Sequence, residues 1–137
     1  MTRLTRRYRF SASHRLHSPA LSDDANRALY GKCNHPHGHG HNYILEVSLT
    51  GPLDEHGRVA DRAALDGLVE TAVLGEFRYR NLNLDVPEFA HLVPTSENVA
   101  RVIERRLELG WRNAFPGPAP RLEKIRLFET ERNIVEK

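Results

Sequence analysis

One cysteine in 137 residues excludes an intrachain disulfide framework, and a reduced, intracellular thiol is the expected state. No apolar run approaches the length of a membrane span, and no apolar signal region stands at the start, so no membrane role and a cytoplasmic location are expected. An excess of one charge is missing too: 20 basic against 18 acidic residues leave a formal net charge of +2. So small an excess does not point to nucleic acid. The arginines are scattered without aromatics between them, and the cluster Arg3, Arg6, Arg7 and Arg9 mostly fits the solvated side of a strand. No repeat or low-complexity tail divides the chain, so residues 1–137 are expected to form a single domain, long enough to bury a core.

What the chain does have is histidine. Four of its eight lie at His35, His37, His39 and His41, directly after the lone Cys33. The stretch runs into Tyr43-Ile44-Leu45-Glu46-Val47-Ser48-Leu49-Thr50, which reads as a strand. Residues two apart on a strand share a face, so His39 and His41 point with Tyr43, Leu45, Val47 and Leu49. Two imidazoles at the mouth of a buried face are half of a metal site, and zinc favours such nitrogen ligands. His35 and His37 sit in an Asn-His-Pro-His-Gly turn and read as loop residues.

Residues 4–14 alternate as well. Leu4, Tyr8, Phe10, Ala12 and His14 share one parity, which Arg6 interrupts. His14 ends that face as His39 and His41 begin theirs, and a neighbouring antiparallel strand is a natural source of a third ligand. Ser22-Asp23-Asp24 caps a short helix through Tyr30, which Gly31 can end. Residues 51–57 form a turn with His56 exposed. Asp61 caps a helix carrying Ala64, Leu65, Leu68, Val69, Ala72 and Val73, with its end expected near Gly75. Residues 76–94, which include His91, read as a long loop. Thr95 or Ser96 caps a second helix with a stripe of Val99, Val102, Ile103 and Leu107, ended by Gly110. A linker at 115–120 precedes a strand over 122–129, with Ile125, Leu127 and Glu129 on one face, and a short last strand at Ile134-Val135. The order predicts an α+β sheet with both helices on one face.

These residues resemble a known family, the 6-pyruvoyltetrahydropterin synthases and the related 6-carboxytetrahydropterin synthases of queuosine biosynthesis. The likeness is carried by Phe10 to Leu16, by Cys33 to Tyr43 (Cys-x5-His-Gly-His-Asn-Tyr), by Asn81 to Asp85, by Pro94 to Asn98 and by Phe128-Glu129-Thr130. It implies the tunnelling fold (T-fold): a four-stranded antiparallel sheet with two helices on one side. Three subunits would close an oligomeric β-barrel, and two barrels would stack into a homohexamer. It further implies a Zn2+ ion on His14, His39 and His41, Cys33 as catalytic base, and Glu129 as anchor of the pterin ring. Thr95, with Ser96 and Glu97 beside it, would supply further substrate contacts. The implied activity is that of a lyase of tetrahydrobiopterin biosynthesis, releasing triphosphate from 7,8-dihydroneopterin triphosphate to give a 6-pyruvoyl- or 6-carboxytetrahydropterin. The Cys-x5-His spacing resembles the pyruvoyl branch.

The family usually carries Asp-His directly before the Lys/Arg-Asn-Leu run, as partners of the cysteine in proton transfer. Here Arg78 and Tyr79 stand in those places. Arg78 cannot accept a proton at neutral pH, and a tyrosine hydroxyl in general gives up its proton only near pH 10. Tyr79 or water could carry the second proton, and Arg78 could contact an anion. The rival expectation is a zinc- and pterin-binding protein with altered or little catalysis. A purely structural zinc module is a third.

Overall fold

The computed structural model describes residues 1–137 and forms one four-stranded antiparallel sheet in the order β1-β2-β3-β4. The strands are β1 (Thr2–His14), β2 (His39–Gly51), β3 (Arg121–Phe128) and β4 (Ile134–Glu136). Between β1 and β2 lie α1 (Asp23–Tyr30) and a 3-10 turn over Gly31–Asn34. Ser22 caps α1 through its hydroxyl, which accepts from the Ala25 N–H, and Gly31 ends the helix.

Alternation places the core where the sequence predicts it. Phe10 and Ala12 of β1, Tyr43, Leu45, Val47 and Leu49 of β2, and Ile125 and Leu127 of β3 are all buried on one face. The helical layer α2 (Arg62–Val69) and α5 (Ser96–Ala114) closes that face with Leu65, Val69, Val99, Ile103 and Leu107. Each fully buried leucine contributes about 2 kcal/mol of transfer free energy. Arg6, the interruption in the β1 pattern, donates to Asp66 of α2 through Nε and Nη2 at 2.8 and 2.9 Å. The Tyr8 hydroxyl meets the same carboxylate at 2.7 Å. On the opposite face Glu46 accepts from Arg7 and Arg126.

Three boundaries differ from the periodicity reading. The helix begun by α2 passes through a π-helical stretch, Glu70–Leu74, and ends as α3 (Gly75–Phe77), two residues beyond Gly75. The 76–94 segment is not structureless: it holds α4 (Leu82–Asp85) and a 3-10 turn over Pro87–Ala90. The Asn81 side chain caps α4 by accepting from the Asn83 and Leu84 N–H groups, and Leu82, Val86 and Phe89 are buried beneath it. Finally, α5 runs through Gly110 to Ala114. A mid-helix glycine costs only about 1 kcal/mol, and Trp111 and Ala114 pack on the core beyond it, with Trp111 Nε1 donating to Pro120 O at 3.0 Å.

Candidate active site

The pairing register builds the histidine cluster. In the β1–β2 ladder His14 lies opposite His39, and His41 lies opposite Ala12. All three imidazoles therefore gather at one end of the core face. One ligand nitrogen from each fits within 4.8 Å of the others, and the ring centroids are 4.6–5.0 Å apart. Gly38 permits this arrangement. Its φ is +69°, and a Cβ there would meet the His14 carbonyl oxygen at 2.5 Å, so a side chain would push the His35–Gly38 turn off the end of β1.

His14 is fully buried, and its Nδ1 lies 2.8 Å from the Pro94 carbonyl oxygen. That contact requires the proton on Nδ1, which leaves the Nε2 lone pair bare. Nε2 is buried and has no hydrogen-bond partner. A buried acceptor without a partner costs roughly 1–3 kcal/mol, and coordination of a cation would remove that cost. His39 Nε2 and His41 Nε2 are 2.8 Å apart, so in the metal-free chain one of them carries the proton and donates to the other. Burial depresses the pKa of His14, with the Pro94 contact opposing it, and burial likewise depresses that of His41, against the pull of Glu129. Neutral imidazoles, a carbonyl fixing one tautomer and an orphaned buried nitrogen together suit a divalent transition metal.

A cavity of about 1020 Å³ opens beside the cluster, and its wall includes Cys33, His39, His41, Glu129, Arg15 and Lys32. Cys33 sits half-buried in the 3-10 turn, pinned by its carbonyl, which accepts from the Leu16 N–H at 2.8 Å. Nearby positive charge favours a cysteine's thiolate. The protein groups alone act the other way: burial first, then the Glu129 carboxylate, push the thiol up, and Lys32 opposes them. Glu129 follows the last residue of β3, its N–H donating to Asn133 O at 3.0 Å. Its side chain is only 10% exposed, and Oε1 lies 3.9 Å from His41 Nε2.

The helix-cap residues divide. The Ser96 hydroxyl donates to Glu129 Oε2 at 2.7 Å and so orients the carboxylate. Thr95 caps α5, its hydroxyl accepting from the Asn98 N–H at 3.2 Å, while Glu97 is exposed; neither belongs to the cavity wall. Arg78 and Tyr79 lie outside that wall as well, beside a smaller pocket with Arg9, Phe10 and Asn42. Arg78 donates from both Nη atoms to Glu70, each at 3.0 Å. Tyr79 is 82% exposed with φ +58°, and its N–H donates to Ser11 O at 2.6 Å. The sequence reading passed over Arg15 and Lys32. Their places directly after His14 and directly before Cys33 were the available signal.

A family model described as 6-pyruvoyl tetrahydropterin synthase matches residues 3–137. The human 6-pyruvoyl tetrahydrobiopterin synthase is 44% identical over 133 residues, covering 96% of this chain and 88% of its own. A probable 6-carboxy-5,6,7,8-tetrahydropterin synthase of Halobacterium salinarum is 32% identical over 114 residues, covering 72% and 65%. Among solved structures, Caenorhabditis elegans 6-pyruvoyl tetrahydropterin synthase superposes with a TM-score of 0.88 at 39% identity, over 99% of this chain and 94% of that one.

Proposed function

This chain belongs to the 6-pyruvoyl tetrahydropterin synthase family and is a pterin-forming lyase of that kind, and from that premise we propose that it releases triphosphate from 7,8-dihydroneopterin triphosphate with the help of Zn2+. The observation that carries the reading is the bare, buried Nε2 of His14 beside His39 and His41, at the edge of a cavity large enough for a pterin. The size of that cavity favours a catalytic over a purely structural metal site.

His14, His39 and His41 would hold the ion. When bound, the ion supplies Lewis acidity to the substrate's side-chain hydroxyls and lowers the pKa of groups around it. Glu129, oriented by Ser96, accepts two N–H bonds from the aminopyrimidinone edge of the ring. Cys33 Sγ takes a proton from the side-chain carbon next to the one that bears triphosphate; the C–H electrons form a C=C bond, and the C–O bond to triphosphate breaks with its electrons leaving on the phosphate oxygen. The thiol's upward shift in the chain alone means that added positive charge is needed to make it a base. Tyr79 or water carries the second proton, since Arg78 cannot accept one and is engaged with Glu70.

Identity of 44% to the human pyruvoyl-forming enzyme against 32% to the archaeal carboxy enzyme supports 6-pyruvoyltetrahydropterin as product. The sheet edges, β1 and the three-residue β4, are suited to pairing with further copies in a homo-oligomer, a trimer or hexamer. A cytoplasmic location suits the free Cys33 thiol. No helix is long and apolar enough to cross a membrane.

The test is to incubate zinc-loaded protein with 7,8-dihydroneopterin triphosphate and follow triphosphate and pterin product by mass spectrometry, with Cys33→Ala as control. Turnover lost in the control supports the lyase, and the product names the branch. Saturable pterin binding without turnover would favour the second reading, a binding protein, for which the substitution of Arg78 and Tyr79 in the proton path is the motive.

A further inference from the structure

The wall of the main cavity has an uneven charge. Glu129 is its one carboxylate, against Arg15, Arg27 and Lys32. Arg27 is already paired with Asp24. Neither Arg15 nor Lys32 forms an ion pair anywhere in the chain. Two cations without acidic partners thus share a cavity with the histidine cluster and Cys33.

Arg15 is also held in place. Its N–H donates to Asn83 Oδ1 at 2.7 Å, and its carbonyl accepts from Asn83 Nδ2 at 2.9 Å. Its Nε donates to the Asn34 carbonyl at 3.1 Å, and buried Asn34 is itself fixed by Nδ2 donating to Leu16 O at 2.7 Å. These bonds fix the half-buried side chain and leave Nη1 and Nη2 unused. A guanidinium anchored through Nε with both Nη groups free matches two oxygens of one phosphate. Lys32, exposed beside Cys33, adds a mobile point charge.

Resting on the triphosphate substrate proposed above, we infer that Arg15 and Lys32 form the polyphosphate subsite, and that they select a triphosphate-bearing pterin over its phosphate-free counterpart. This is the role the sequence suggested for Arg78, whose guanidinium Glu70 already occupies.

The test compares equilibrium affinities for 7,8-dihydroneopterin and its triphosphate, by calorimetry, in zinc-loaded Cys33→Ala protein that holds the reaction back. Arg15→Gln is expected to weaken triphosphate binding roughly tenfold or more, and Lys32→Gln by roughly threefold to tenfold. Affinity for the phosphate-free pterin should be unchanged in both, which also reports that the pocket is intact. A preference for the triphosphate that survives in both variants, or that is lost in Arg78→Ala instead, overturns the subsite. Should 7,8-dihydroneopterin fail to bind at all, the pterin reading falls, and inorganic tripolyphosphate titrated as its Mg2+ complex then reads the subsite alone. Binding of that anion weakened by Arg15→Gln upholds it; binding that is absent or indifferent to Arg15 overturns it.

Discussion

Strand β1 supports two neighbouring regions in opposite ways. At its end, His14 is fully buried, paired in register with His39 and fixed through Nδ1 by Pro94. Along its outer edge, Ser11 and Ser13 hold the Arg78–Arg80 corner by main-chain bonds only: Tyr79 N–H to Ser11 O, and Ser13 N–H to Arg80 O. In the first region side-chain identity and backbone position are one design, since replacing any imidazole leaves a gap in the cluster. In the second the backbone is specified while the side chains project outward, Tyr79 most of all. Such a corner can exchange side chains without disturbing the fold, provided that the residue at position 79 tolerates a φ of +58°. The family resemblance leads one to expect other side chains at positions 78 and 79, and the chain superposes on a family structure with a TM-score of 0.88.

The comparison breaks most visibly at the metal. His14→Ala should lower affinity for Zn2+ by roughly a hundredfold or more, read by metal content after dialysis, because two ligands with one open corner replace a preformed set of three. Retention of stoichiometric metal would remove His14 from the site. Of similar or larger size is the contrast within the chemistry. Cys33→Ala should reduce turnover by roughly 10²–10⁴, whereas Tyr79→Phe, which keeps the corner and removes one hydroxyl, should reduce it roughly tenfold with Tm unchanged. Full activity in Tyr79→Phe would assign the second proton to water. Ser96→Ala frees the Glu129 carboxylate and should raise KM for the pterin roughly threefold to tenfold, near 1 kcal/mol, with a smaller change in kcat.

The smallest expected effect is on stability with pH. Burial holds His14 and His41 below the ordinary histidine value of about 6.5, so between that value and the folded ones the unfolded chain binds protons that the folded chain refuses. The metal-free protein should therefore keep this contribution above about pH 6.5 and lose it as pH falls through the folded values. Tm scans across that window check the sign, and a Tm that rises on acidification contradicts it. Replacing Arg78 or Tyr79 should leave that profile as it is.

Most of the scaffold was legible in the chain. Period-two alternation gave the buried faces of β1, β2 and β3, and the caps Ser22, Asp61 and Thr95 each accept from the N–H groups that capping chemistry requires. The helix ends were less so. Gly75 and Gly110 signal a stop, but Phe77 and Trp111 find apolar surface just beyond them, and burial outweighs a glycine's local cost. The 76–94 segment hid its order because Pro87 interrupts the run, although Leu82, Val86 and Phe89 keep a helical spacing of four and three.

The sequence by itself determined the three histidines as candidates and put Glu129 at the end of a strand face, because strand parity is a local property; Cys33, which lies in a turn ahead of β2, was a candidate only through the family resemblance. Only the tertiary structure decided their surroundings. It put the Pro94 carbonyl on His14, Ser96 on Glu129, Glu70 on Arg78, and brought Arg15 and Lys32 into one cavity, neither ion-paired with an acidic side chain. Those partners lie 8 to 80 residues away along the chain, and no local period carries information across such distances. Hydrogen bonds and cavities belong to surfaces that meet only when the sheet has paired and the helices have closed over it.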